Sequence, residues 1–157
     1  MPSALSRPSS SVLARAYLAR DTGRAMSQEN VELFRRGMDA FLRGDIKPLL
    51  ETAHPEIEWY PFSAQVEGDA PYKGHEGIRQ WWANMNSAFE EFEASFDEIR
   101  DEDDVVVALG RLRARFRSGI TLDTEMGWVF RFRDGVAVWG RAYQSQAQAL
   151  EAAGLSG

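Results

Sequence analysis

From Val105 to Tyr143 the sequence alternates apolar and polar side chains, with breaks at Ser118-Gly119 and at Asp134-Gly135. A period of two places successive side chains on opposite faces of a strand. Asp-Gly between two such runs is a strong hairpin signal, because the tight turn needs positive φ at both central positions. The pattern predicts strands over 105–117, 120–133 and 136–144. A further strand precedes them, in which Phe92, Ala94 and Phe96 alternate with polar residues ahead of a polar turn at 101–104.

Upstream of residue 90 the period changes. Val31, Phe34, Met38 and Phe41, with Leu42, recur at helical spacing behind Ser27, which is suited to cap the helix, and Glu29, which suits its first turn. Gly44 ends that helix. Asp45 can cap a short second one, whose first turn tolerates Pro48 and which ends near Ala53. A short strand over 56–60 and a loop over 61–73 lead to a third helix from Gly74, with Ile78, Trp81, Trp82, Met85 and Phe89 on one side. Three helices, a four-strand meander and a small Ala-rich terminal helix make an α+β fold with an antiparallel sheet.

A chain of 157 residues is one domain in size. The absence of Cys excludes disulfides, thiolate chemistry and Cys-ligated zinc. Two His are too few for a three-His metal site, and no phosphate-loop or dinucleotide fingerprint is present, so neither metal nor cofactor is expected. A net charge of −6 argues against a nucleic-acid partner. No apolar run approaches the roughly 20 residues of a membrane helix, and a cytoplasmic protein is expected. Residues 1–25 carry four arginines against one acid and a serine run, Ser9 to Ser11. They read as a disordered extension ahead of a domain over 26–157, or as an organelle transit segment.

Sorting the strand faces yields the candidate site. Leu122, Met126, Trp128, Phe130 and Phe132 share a face, while Arg111, Arg113, Arg115 and Arg117 form a ladder opposite Gly110, Leu112, Ala114 and Phe116. A three-residue loop sets Arg115 beside Asp123 and Arg113 beside Glu125, so the ladder reads as a salt-bridged outer face or an oligomer surface. A two-residue turn at Asp134-Gly135 sets Trp128 opposite Arg141 and brings Trp139, Arg141 and Tyr143 onto the aromatic face. Arg141 is then a cation on an apolar surface. It either binds a ligand carboxylate or enolate oxygen, pairs internally with Glu58, or snorkels to the rim. His75, at the start of helix three, is a candidate acid or base or a surface residue. His54 more readily bonds the backbone. Tyr60 and Tyr143 are candidate hydrogen-bond donors, and Trp59, Trp81 and Trp128 candidate cavity walls.

Ser27 through Glu32, Phe41 with Arg43-Gly44-Asp45, His54-Pro55-Glu56, Glu58-Trp59, Tyr72 through Ile78, Arg133-Asp134-Gly135 and Arg141-Ala142-Tyr143 follow one another in an order that resembles the SnoaL-like branch of the nuclear transport factor 2-like superfamily. The resemblance covers residue 26 to about 155. It implies a cone: a strongly curved antiparallel sheet wrapped around N-terminal helices, enclosing an apolar pocket, usually dimeric through the outer sheet face. Relatives include ketosteroid isomerases, polyketide cyclases, epoxide hydrolases, dehydratases and members that only bind or scaffold. The isomerases' catalytic base falls at Tyr60, their neutral oxyanion-hole acid at Trp128 and their helix-one Tyr at Gly37, so that chemistry does not carry over. Two functions stay open. One is an isomerase, cyclase or hydratase acting on a small apolar or amphipathic substrate through Arg141, His75 or Glu58. The other is a non-catalytic ligand-binding or dimeric scaffold protein.

Overall fold

The alternating segment forms the meander that its turns predict, and the helices cover one side of it. A computed structural model describes residues 12–65 and 68–155. Their order is α1 (Val12–Arg43), α2 (Ile46–Glu51), β1 (Ala53–Tyr60), a 3-10 turn (Phe62–Gln65), β2 (Tyr72–Lys73), α3 (Gly74–Ala88), β3 (Phe89–Glu102), β4 (Val105–Phe116), β5 (Thr121–Arg133), β6 (Val136–Tyr143) and α4 (Gln146–Ala152). The helix expected to start at Ser27 starts at Val12 instead, so Ser27 lies inside α1; residues 12–25 are helical. Residues 1–11 of the proposed extension lie outside the described residues. Among the described residues, no helix is long and apolar enough to cross a membrane.

One curved, unclosed sheet runs in the order β2-β1-β6-β5-β4-β3. β3 through β6 are antiparallel neighbours, but β1 lies parallel to β6, so the sheet is mixed rather than antiparallel throughout. β1 reaches β6 only after α3 and the whole meander intervene. A connection that long leaves its direction free, whereas two-residue turns force antiparallel pairing. Extra residues in β3 beside Phe96 and in β6 beside Phe132 interrupt the ladders, and such bulges bend and twist a strand.

The concave face holds one core. Phe34 of α1, Ile78 of α3 and Trp59 of β1 pack with Val106, Leu112, Met126, Trp128 and Phe132 of the sheet. The convex face is divided. Under α4, Val105, Val107, Leu109 and Val129 pack with Ala149 and Leu150 as a second core, which is why β4 is buried on both faces over its first half. Beyond α4 the arginine ladder takes over. Its register is Arg111↔Glu125, Arg113↔Asp123 and Arg115↔Thr121, and Gly110 faces Met126 rather than Trp128. The loop has the expected three residues but lies one residue earlier, over 117–119, closed by the Phe116 amide donating to the Ile120 carbonyl (2.8 Å). The displacement is two residues along the ladder, so every side chain keeps its face. Arg111 and Arg113 pair with Asp123 at 2.9 and 3.5 Å, and Arg115 reaches Glu90 at 2.9 Å and also Glu91. These pairs are exposed and each contributes at most about 1 kcal/mol. The ladder is an ion-paired face on the outside of the sheet.

Candidate functional site

Between α1, α3 and the concave sheet face lies an apolar cavity of about 90 Å³. Helical spacing turns Leu33, Phe34, Gly37, Met38 and Phe41 of α1 toward it, and Ile78, Trp81 and Met85 of α3 do the same from the other side. The sheet supplies Trp59, Phe92, Leu112, Met126, Trp128, Phe130 and Phe132. The rings form a connected set. Trp59 stacks on Phe130 with centroids 5.5 Å apart and meets Trp81 edge-on at 5.4 Å, and Trp81 stacks on Phe41 at 4.9 Å. Such pairs contribute about 0.5–1.5 kcal/mol each beyond the area they bury.

Polar groups are few. Among the described residues, no side chain in the lining is ionisable. Thr52 is buried, and its hydroxyl donates to the Leu49 carbonyl at 2.7 Å. The indole Nε1–H groups of Trp59 and Trp81 are buried without a protein acceptor. Trp59 is only 6% exposed. A buried donor left unmet costs about 1–3 kcal/mol.

Of the residues expected here, Trp59, Trp81 and Trp128 line the cavity. Arg141, Tyr143, Tyr60, Glu58 and His75 do not, and the reason for the first two is one extra residue. The β5–β6 ladder pairs Phe132 with Ala137 but Arg131 with Trp139, leaving Val138 unpaired in a bulge. Beyond it Trp128 faces Ala142 and Val129 faces Arg141. A one-residue slip reverses every side chain, so Ala142 points into the cavity while Trp139, Arg141 and Tyr143 stand on the convex face. There the Arg141 guanidinium lies 4.9 Å from the Tyr60 ring centroid and 5.6 Å from that of Tyr143. It donates to Asp69 Oδ1 at 2.5 Å, so the expected partner Glu58 is not the one it takes.

His75 is a tether between elements: its Nε2–H donates to the Ala53 carbonyl at 2.7 Å, fixing the start of α3 against β1. His54 Nδ1 accepts from the Glu56 amide at 2.9 Å, the backbone bond expected of it. A Cβ at Gly37, the position that the resemblance matched to the isomerases' helix-one Tyr, would meet Thr52 Oγ1 at 2.9 Å, so α1 lies close against the end of α2 there. Phe62, from the segment read as loop, was missed as a wall because a 3-10 turn leaves no periodic signature.

Arg141→Met tests the convex cluster. The side chain is 16% exposed while Asp69 is 58% exposed, so removing the guanidinium strands no buried charge. A loss of about 1–2 kcal/mol in urea denaturation is expected, from the weak pair and the cation–π contacts, with cavity binding unchanged. Burial raises the Tyr143 phenol above its ordinary 10.0, and the Arg141 and Arg131 charges pull it partway back. Stability from the neutral phenol is therefore complete below about pH 10 and is lost as pH rises through the raised value. In Arg141→Met the tyrosinate absorbance titrates at still higher pH. A loss of several kcal/mol would instead show that Arg141 holds a buried partner.

A family model described as "SnoaL-like domain" matches residues 34–139. No curated protein matches the sequence. Several solved structures share the fold. An NTF2-like protein of unknown function from Burkholderia pseudomallei superposes with a TM-score of 0.68 at 22% identity, covering 78% of this chain and 95% of its own. TerC, co-crystallised with polyporic acid, gives 0.67 at 22%, covering 78% and 96%. Bal32a, from a soil-derived mobile gene cassette, gives 0.67 at 28%, covering 80% and 96%.

Proposed function

The chain belongs to the SnoaL-like domain family, and from that premise we propose that it binds a compact, uncharged, mostly apolar small molecule in the cavity between α1, α3 and the sheet. The observation that carries this reading is the lining itself: aromatic and aliphatic apart from Thr52, with no ionisable side chain among the described residues. An anion entering would lose its hydration and find no counter-charge. Proton transfer in an isomerase, cyclase or hydratase needs a carrier within hydrogen-bond reach of the reacting atom. Arg141 and Glu58 stand outside the cavity, and His75 is committed to the Ala53 carbonyl. Binding without acid–base chemistry is what this arrangement supports. TerC, which shares the fold, was co-crystallised with polyporic acid, so the architecture admits organic molecules. Size points to something smaller here: an apolar protein cavity of about 150 Å³ admits benzene, and this one is about 90 Å³.

Thermal-shift measurements with single-ring neutral compounds, with benzoate and with steroids test the reading. A neutral ligand at about 100 times its Kd stabilises by about 2.7 kcal/mol, a rise of about 5–10 °C for a chain of this length. Benzoate and steroids are expected to leave the midpoint unchanged. Ala142→Leu, which fills the cavity, is expected to abolish the rise. Tighter binding of benzoate than of its neutral isosteres, or no rise with any neutral compound, would overturn the proposal.

A further inference from the structure

The two indole donors of Trp59 and Trp81 are polar groups of the cavity wall that no acceptor among the described residues meets. Both line it, both Nε1 atoms are buried, and neither meets a protein acceptor. Their rings touch edge to face, with centroids 5.4 Å apart and planes inclined at 74°, so the two donors belong to one aromatic pair in one part of the wall. Each ring is also stacked on a neighbour, Trp59 on Phe130 and Trp81 on Phe41, so turning either ring breaks a stack.

We infer that the ligand carries a neutral carbonyl group whose oxygen accepts hydrogen bonds from Trp59 and Trp81, with its hydrocarbon part against Phe34, Met126 and Phe130. This rests on reading the cavity as a ligand site and specifies the chemistry that site selects. A carbonyl oxygen has two lone pairs and carries no hydrogen that would need an acceptor of its own. A hydrocarbon of the same shape leaves both donors unmet. A carboxylate satisfies them but brings a charge that no group in the lining balances. In a donor-free apolar cavity the order is reversed, because a ketone loses its hydration there and an alkene does not.

Cyclobutanone and methylenecyclobutane, both smaller than benzene, differ only in oxygen against methylene, and titrating each into the ¹⁵N-labelled full chain tests the inference without altering the protein. The ketone is expected to bind about 2- to 12-fold tighter, the ratio that one net hydrogen bond confers, and to move the Nε1–H proton resonances of Trp59 and Trp81 downfield. The alkene moves neither downfield. If the alkene binds as tightly or more tightly, or the ketone binds without those downfield shifts, the carbonyl inference is overturned while the binding reading stands. If neither binds, the binding reading fails and takes this inference with it.

Discussion

Gly140→Ala is expected to cost about 2–3 kcal/mol of stability in urea denaturation. The Val138 bulge sets Gly140 opposite Phe130, and a Cβ there would lie 2.4 Å from the Phe130 ring and 3.0 Å from Trp59. Those two rings are stacked with centroids 5.5 Å apart, so neither withdraws without disturbing the other. Overpacking of this kind costs about 1–3 kcal/mol, a large share of the about 5–15 kcal/mol by which a domain is stable. A change below about 0.5 kcal/mol would mean that the aromatic pair yields freely and does not decide what β6 presents at this position.

Gly110→Ala is the point substitution with the largest expected loss of stability. A Cβ at Gly110 would lie 1.8 Å from the Ser95 carbonyl oxygen, 2.8 Å from its carbon and 2.9 Å from Phe96 Cα. All three are backbone atoms of β3, so no rotamer relieves the contact and the strands themselves must part. The approach is this close where β3 bulges next to Phe96, and glycine in a strand commonly marks such a place. A loss of about 3 kcal/mol or more is expected in urea denaturation, at the upper end of overpacking effects. A change below about 1 kcal/mol would show that β3 shifts freely there.

Much of this architecture is legible in the residue order. Asp134 and Gly135 both adopt positive φ, 52° and 80°, as the hairpin signal requires. The arginine ladder and the Met126–Trp128–Phe130–Phe132 stripe fall on opposite faces as the alternation predicts, and the slip at the β4–β5 turn leaves this intact because it is even. The helix spacing of Val31, Phe34, Met38 and Phe41 places cavity walls correctly. The apolar cavity itself follows from the family resemblance together with these faces.

What the sequence did not disclose is concentrated at β6. A bulge has no composition of its own: Val138 is an ordinary strand residue, and Trp139, Arg141 and Tyr143 alternate as well in either register. The choice depends on distant partners. Trp59 and Phe130 leave room for no side chain at position 140, Asp69 offers Arg141 an ion pair on the convex face, and Tyr60 and Tyr143 flank it there. The early start of α1 and the parallel β1–β6 pair escape local reading for similar reasons. A serine suited to a cap is also tolerated inside a helix, and strand direction across a long connection carries no local mark. The residue order alone determined most of the strand and helix segments, the hairpin turn at Asp134-Gly135 and which side chains share a face within one strand, because those depend on near neighbours. Only tertiary packing decided which face of β6 meets the cavity and left Trp59 and Trp81 as its unmet donors, because register between strands is chosen by the fit of residues far apart in the chain.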